Sequence, residues 1–98
     1  MKSGTHHNTS IEEIIAQVTE ISNRNKVEHL SLFGSYATCE ATETSDIDFV
    51  AYGIKDKETY LDEIDKIRTL KTIDIFDYDA IRNPRLKEDI AKYGRKIY

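Results

Sequence analysis

The chain has 98 residues, 39% of them hydrophobic and 33% charged, and 14 Lys and Arg against 18 Asp and Glu give a formal net charge of −4. This composition excludes collagen-like, proline-rich, low-complexity and membrane-spanning classes. The acidic balance also disfavours direct nucleic-acid binding, which depends on neutralising phosphates. We expect a flexible polar N-terminus over residues 1–9 and a single domain over 10–98. The lack of a signal peptide and the single cysteine, Cys39, favour a cytoplasmic protein.

The first element is predicted to be a helix that begins after Ser10. Ser10 and Glu13 form the pattern of a capping box, and apolar residues follow at helical spacing: Ile11, Ile14, Ile15, Val18 and Ile21. A short strand is predicted over Val27–Phe33, and Gly34-Ser35 breaks it. A small polar loop then runs from Tyr36 to Ser45 and begins with one helical turn.

The second strand is predicted over Asp46–Tyr52. Alternation places Ile47, Phe49 and Ala51 on one face and the even-numbered residues, which include Asp46 and Asp48, on the other. A second helix capped by Asp56 is predicted next, with its apolar positions at Tyr60, Leu61, Ile64, Ile67 and Leu70.

A third strand is predicted over Thr72–Tyr78, and Asn83-Pro84 begins a third helix. The inward positions of that helix are predicted to be Leu86, Ile90 and Tyr93, and Ile97-Tyr98 adds a short edge strand. The element order is α-β-β-α-β-α. Because the connection between the first two strands is too short and polar for a crossover helix, we expect an α+β fold with a mixed sheet and helices on one face.

Three aspartates carry the candidate chemistry. Asp46 and Asp48 share one face of a strand about 7 Å apart, so their charges repel unless protons or cations neutralise them. Hard oxygen ligands at this spacing can converge on a pair of Mg²⁺ ions, as two-metal phosphoryl transfer requires. Asp74 interrupts a β-branched strand and can sit across the sheet from that pair.

Gly34 and Ser35 form a candidate phosphate-binding turn. Glycine allows a phosphate to approach the backbone N–H groups, and the serine hydroxyl adds a donor. The chain has no Gly-x-x-x-x-Gly-Lys pattern, so this turn is not a P-loop.

The spacing of these parts is more specific than any one of them. Gly34-Ser35 is followed by ten residues, by Asp46-x-Asp48, and by an aspartate on a later strand. This arrangement resembles the minimal nucleotidyltransferases of the DNA polymerase beta superfamily. The resemblance extends over residues 10–98, with segments 32–41 and 44–50 matching closely and Gly94-x-x-x-Tyr98 ending the pattern. It implies the palm-like nucleotidyltransferase fold of that superfamily.

The resemblance also implies roles for five residues. Gly34 and Ser35 would hold the terminal phosphates of a nucleoside triphosphate, and Asp46 and Asp48 would ligate two Mg²⁺ ions. Asp74 would ligate the catalytic ion and orient, or help deprotonate, an acceptor hydroxyl. The implied reaction moves AMP from ATP to that hydroxyl. Chains of this type resemble antitoxins encoded beside HEPN-type RNase toxins, which implies a HEPN-type toxin as the protein partner.

One local departure from the family pattern lies at Thr38-Cys39, where many members have a basic residue followed by Gly. Cys39 must therefore form a tight turn with a side chain present. Two other interpretations of the whole chain stay open. One is a non-catalytic antitoxin that neutralises its partner by occlusion, and the other is a subunit whose site a partner chain completes. An oligomer of the chain also stays open.

Overall fold

The helices and strands follow the predicted order. A computed structural model describes residues 10–42 and 46–98; the expected flexible N-terminus and loop residues 43–45 lie outside the described residues. The helices are α1 (Ile11–Arg24), α2 (Lys57–Asp65) and α3 (Pro84–Tyr93), and the strands are β1 (His29–Phe33), β2 (Ile47–Tyr52), β3 (Ile73–Asp77) and β4 (Arg95–Lys96). Two 3₁₀ turns, Gly34–Tyr36 and Tyr78–Ala80, follow β1 and β3.

The four strands form one mixed sheet in the order β3-β2-β1-β4. The strand β1 pairs antiparallel with both β2 and β4, whereas β2 and β3 are parallel and α2 connects them. The prediction of an α+β fold with a mixed sheet is therefore confirmed. Among the described helices, none is long and apolar enough to cross a membrane.

The main core lies between one face of the sheet and the helices α1 and α2. It contains the odd-numbered residues of β2, which are fully buried, together with the apolar stripe of α1 and Tyr60 and Ile64 of α2. A hydrogen bond of 2.7 Å between the buried hydroxyls of Ser22 and Tyr60 joins the two helices inside this core. The expectation of helices on one face therefore holds for α1 and α2.

The third helix contacts side chains of the other sheet face. Ile90 is 3% exposed but lies outside the main core cluster, as does Val50, which alternation places on that face. The Lys87 ammonium lies 5.1 Å from the ring centre of Tyr78, which stacks on Tyr52 at 4.4 Å. The helix α3 therefore shares a sheet face with Asp48.

Local sequence signals account for the helix ends. The Ser10–Glu13 capping box is formed as predicted, and the side chains of Asp56 and Asn83 accept backbone hydrogen bonds at the starts of α2 and α3. Gly94 ends α3, as expected.

Four predictions on the elements were wrong in detail. The first strand begins at His29 and not at Val27. Leu70 does not belong to the apolar stripe of α2: the helix ends at Asp65, where its last turn tightens through i→i+3 bonds, and Leu70 is 93% exposed. Tyr93 is 50% exposed and not an inward residue of α3. The edge strand is Arg95–Lys96, although Ile97 and Tyr98 also bond to the backbone of Leu30.

Candidate active site

Asp48 and Asp74 occupy the same level of the parallel pair β2–β3, where they are direct partners across the strands. Both residues are half-buried. Burial raises the pKa of Asp48 to about 6, and the charge of Asp74, a hydrogen bond between the two carboxyls and the charge of Asp46 add to the rise. The pair therefore resists holding two negative charges and favours a proton or a cation between them.

Asp46 stands at the entrance of β2 and is exposed. Two residues before Asp48, it belongs to the same face of the strand, and its charge contributes to the raised pKa of Asp48. The three aspartates predicted from sequence thus come together at one end of the β2–β3 pair.

Gly34 brings the turn after β1 against this acidic group. Its φ is +74°, and a Cβ added there would lie 2.6 Å from Asp48 Oδ2. A side chain at this position would meet both a backbone penalty and a collision with the carboxylate. The glycine of the Gly-Ser pair is therefore required by the contact with Asp48 as well as by the turn.

A cavity of about 340 Å³ opens beside the turn, and Gly34, Ser35 and Thr38 form one side. Asp89 and Tyr93 of α3 form another part of the wall, together with Glu40 and Phe33. Among the described residues, the lining includes two carboxylates and no Lys or Arg, so a bare triphosphate would be repelled there. Cations that accompany the nucleotide would remove that repulsion.

The turn at Thr38-Cys39 has the geometry expected from its departure from the family pattern. Cys39 has φ +66°, a left-handed conformation that glycine adopts more readily than any other residue. The thiol is exposed. Thr38 donates from its hydroxyl to Glu40 Oε1 at 2.8 Å. The prediction that Cys39 makes a tight turn with a side chain present is confirmed.

The donor set fits a hard cation, although the carboxylates are not gathered around one. Among the described residues, no three acidic, His or Cys side chains converge closely enough to hold an ion as they stand. The oxygens of Asp46, Asp48 and Asp74 are nevertheless the ligands that Mg²⁺ prefers. Because their repulsion is set by register and burial, a bound cation would lower the energy of this end of the sheet.

Two contributions to the site were missed from the sequence. Asp89 and Tyr93 lie far from Gly34-Ser35 along the chain, and the helical spacing of Tyr93 suggested a core residue instead. Lys71, at the entrance of β3, places its ammonium 5.8 Å from the ring centre of Tyr36 and so brings a positive charge beside the turn. No short-range pattern in the sequence links these residues to the motif.

Comparisons with known proteins identify the family of the chain. The family model described as "Polymerase beta, Nucleotidyltransferase" matches residues 13–98. Two proteins of Methanocaldococcus jannaschii are similar over most of their length. "Putative protein adenylyltransferase MJ0126" is 32% identical, covering 86% of this chain and 91% of the relative. "Putative protein adenylyltransferase MJ1379" is 34% identical, with the same coverage of 86% and 91%.

A solved structure shares the fold. "Crystal structure of the toxin-antitoxin with AMP-PNP" superposes with a TM-score of 0.69 at 19% identity, covering 85% of this chain and 71% of that one. At this identity the likeness concerns the fold. The match of the family model over most of the sequence, together with two relatives above 30% identity, establishes the family. The chain belongs to the polymerase beta nucleotidyltransferase family.

Proposed function

We propose that the protein is a Mg²⁺-dependent adenylyltransferase that moves AMP from ATP to a hydroxyl group on a partner protein. The observation that carries this proposal is the shared level of Asp48 and Asp74, with Gly34 closely packed against Asp48. That contact joins the phosphate-binding turn to the acidic group within one site. The names of the two archaeal relatives, both protein adenylyltransferases, support the choice of AMP and of a protein acceptor.

The five residues divide into a phosphate-binding turn and a metal-binding group in this proposal. Gly34 and Ser35 would bind the terminal phosphates of ATP through the turn, and Asp46 and Asp48 would hold two Mg²⁺ ions. Asp74 would also ligate Mg²⁺ and would orient the acceptor hydroxyl. The ions, when bound, would offset the negative charge on the attacking and leaving oxygens.

The acceptor oxygen forms a bond with the α-phosphorus of ATP, and the bond from that phosphorus to the oxygen bridging to the β-phosphorus breaks. Pyrophosphate leaves with the electrons of the broken bond. The hydroxyl proton passes to the Asp74 carboxylate and from there to water.

The protein partner is inferred from the size of the domain and from a structural neighbour. The described residues form one four-stranded sheet with three helices, a small surface on which to hold an acceptor. One neighbour of known structure is described as a toxin-antitoxin. We propose a toxin of the HEPN type as the acceptor, with this chain as its antitoxin.

Calorimetric titration with ATP tests the proposal. Wild-type protein should bind ATP with Mg²⁺ present and lose most of that affinity in EDTA. The Asp46→Asn/Asp48→Asn variant should lose the Mg²⁺-dependent part. The matched control is Asp62→Asn/Asp65→Asn, which also removes two carboxylates but leaves the site intact, and it should bind as wild type does.

The same titration separates the two classes of function. ATP binding that ignores both Mg²⁺ and the two site carboxylates would contradict the enzymatic proposal. That result would favour an antitoxin that acts by covering its partner. If instead AMP is transferred only after the partner is added, the partner completes the site.

A further inference from the structure

A groove runs between β3 and α2, beside the pair formed by Asp48 and Asp74. It has a volume of about 560 Å³, and its lining includes the acidic residues Glu58, Asp62 and Asp65 of α2 and Asp74 of β3. None of the described lining residues is basic. The charge of the groove is therefore strongly negative, and it favours a positively charged occupant.

The floor of the groove is apolar and incompletely covered. Ile73 and Ile75 of β3 are half-buried, whereas Ile47 and Phe49, their partners on β2, are fully buried on the same sheet face. Leu61 of α2 also lines the groove and is half-buried. Apolar residues flanked by carboxylates suit a segment that carries both apolar and basic side chains.

The strand β3 offers hydrogen-bonding groups to such a segment. It is an end strand of the sheet formed by the described residues, so one side of its backbone has no strand neighbour there. Natural edges are often protected by Lys, Pro or a bulge. The strand, Ile73–Asp77, has neither Lys nor Pro, and the side chain of Asp77 is held by Lys57 at 3.5 Å.

On these grounds we propose that the open edge of β3 binds the acceptor polypeptide as an added strand. This inference rests on the proposed function and names how its acceptor is held. In such pairing a residue opposite Asp74 projects to the face that carries the acidic pair, with the two Cβ atoms about 5 Å apart. Its hydroxyl then reaches the site, while the residues on either side of it project toward the groove.

The alternation gives a sequence rule for the acceptor. The hydroxyl residue, Tyr, Ser or Thr, is flanked at odd distances by Lys, Arg or apolar residues. A second copy of this chain does not satisfy the rule, because pairing through its own β3 edge would bring the acidic residues of its α2 groove near those of the first copy. The occupant is therefore a basic segment of a different protein.

The test uses a fluorescein-labelled peptide, Lys-Thr-Val-Tyr-Lys-Thr-Val, and the full chain. Fluorescence anisotropy should show binding to wild type, and amide NMR shifts should concentrate in Ile73–Asp77. Asp62→Lys/Asp65→Lys should lower the affinity for the peptide by about tenfold or more. The variant Glu20→Lys/Glu88→Lys has the same change in net charge, and its affinity should stay within about twofold of wild type. A peptide with Glu in place of both Lys should not bind.

Backbone pairing is tested on the peptide alone, which removes any question of how the variants fold. Methylation of alternate peptide nitrogens should abolish binding in one register and spare it in the other. Three results would each overturn the inference. They are an equal loss of peptide affinity in the two charge variants, amide NMR shifts centred on β4, and peptide binding that does not change on methylation. Mg²⁺-dependent ATP binding is measured on the same samples, so that loss of the nucleotide site and loss of the peptide site are distinguished.

Discussion

Asp48 and Asp74 are partners across the parallel pair β2–β3 although 26 positions separate them in the chain. Their register is fixed by the apolar neighbours on the opposite face, Ile47 with Ile73 and Phe49 with Ile75. The core therefore holds together two carboxylates that repel each other. Without a cation, this part of the sheet is less stable than its packing alone would make it.

Replacing Asp48 by Asn should stabilise the metal-free protein. The change removes the charge whose burial and proximity to Asp74 raise the pKa of Asp48 to about 6. We expect a gain of about 1 kcal/mol near pH 8, which is about 4–8 °C in Tm for a domain of this size. Thermal unfolding in EDTA measures it. The exposed helix substitution Asp62→Asn should give no comparable gain.

The gain should depend on pH in a defined direction. Because the pKa of Asp48 is about 6 in the folded chain against an ordinary 3.8, protonation favours the folded state. The destabilisation of the wild type is thus fully present above pH 6, fades as the pH falls, and is gone below about 3.8. A difference in Tm between wild type and Asp48→Asn that grew on acidification would contradict this account.

Magnesium should raise the Tm of the wild-type protein. A ligand that binds only the folded state stabilises it by about 2.7 kcal/mol at a hundredfold excess over its Kd. Here the ion also removes the repulsion within the acidic group. Differential scanning fluorimetry with increasing MgCl₂ at constant ionic strength measures the shift. The effect should vanish in Asp48→Asn; its persistence there would place the bound ion elsewhere.

Gly34→Ala should distinguish the role of this glycine in ATP binding from its role in the backbone turn. At φ +74° a side chain costs roughly 1–2 kcal/mol, and here the Cβ would also displace Asp48 Oδ2. Gly53→Ala is the matched control, since its φ is +70° and its Cβ would meet the exposed side chain of Glu28. Both variants should lose similar stability in urea unfolding. Only Gly34→Ala should lose Mg²⁺-dependent ATP binding.

Cys39→Gly should stabilise the chain. The left-handed conformation of Cys39 is strained, and the release of about 1–2 kcal/mol is partly offset by the entropy of glycine in the unfolded chain. We therefore expect a net gain of up to about 1 kcal/mol by chemical denaturation. Cys39→Ser keeps the side chain and should leave stability unchanged. A gain from Ser as large as that from Gly would locate the effect in the thiol instead.

The buried hydroxyl pair in the core should show strong coupling. Ser22 Oγ donates to the carbonyl of Val18 at 2.7 Å, so the Tyr60 hydroxyl donates to Ser22. Ser22→Ala leaves that buried donor unpaired and should cost about 1–3 kcal/mol. The double variant Ser22→Ala/Tyr60→Phe should recover much of the loss. Additive losses in a double-mutant cycle would contradict the pairing.

Local signals in the sequence predicted the elements well where the chain itself decides them. The Ser10–Glu13 box and Asn83-Pro84 begin helices because their side chains bond to nearby backbone N–H groups. The apolar spacing that suggested Leu70 as a helix residue failed because the chain must leave α2 to enter β3. Val27 falls outside β1 because Lys26, at φ +60°, turns the backbone immediately before it.

The candidate site was predictable to the extent that spacing encodes it. The alternation in β2 put Asp46 and Asp48 on one face, and an aspartate within the apolar run of the third strand suggested a partner across the sheet. The level of Asp74, and the approach of Asp89 and Tyr93 to Ser35, depend on packing between distant segments. No local propensity carries that information.

The parallel pairing of β2 with β3 also sets the order in which the parts of the candidate site come together during folding. The short polar loop joins β1 to β2, so their antiparallel pairing closes only a short segment of chain. The strand β3 aligns with β2 only after α2 has crossed the sheet, and this longer closure is slower. A nascent chain that has emerged only as far as α2 holds Asp46, Asp48 and the Gly-Ser turn, yet lacks Asp74. Under the proposed function such a chain could not transfer AMP, because the third carboxylate joins the site only when β3 pairs with β2.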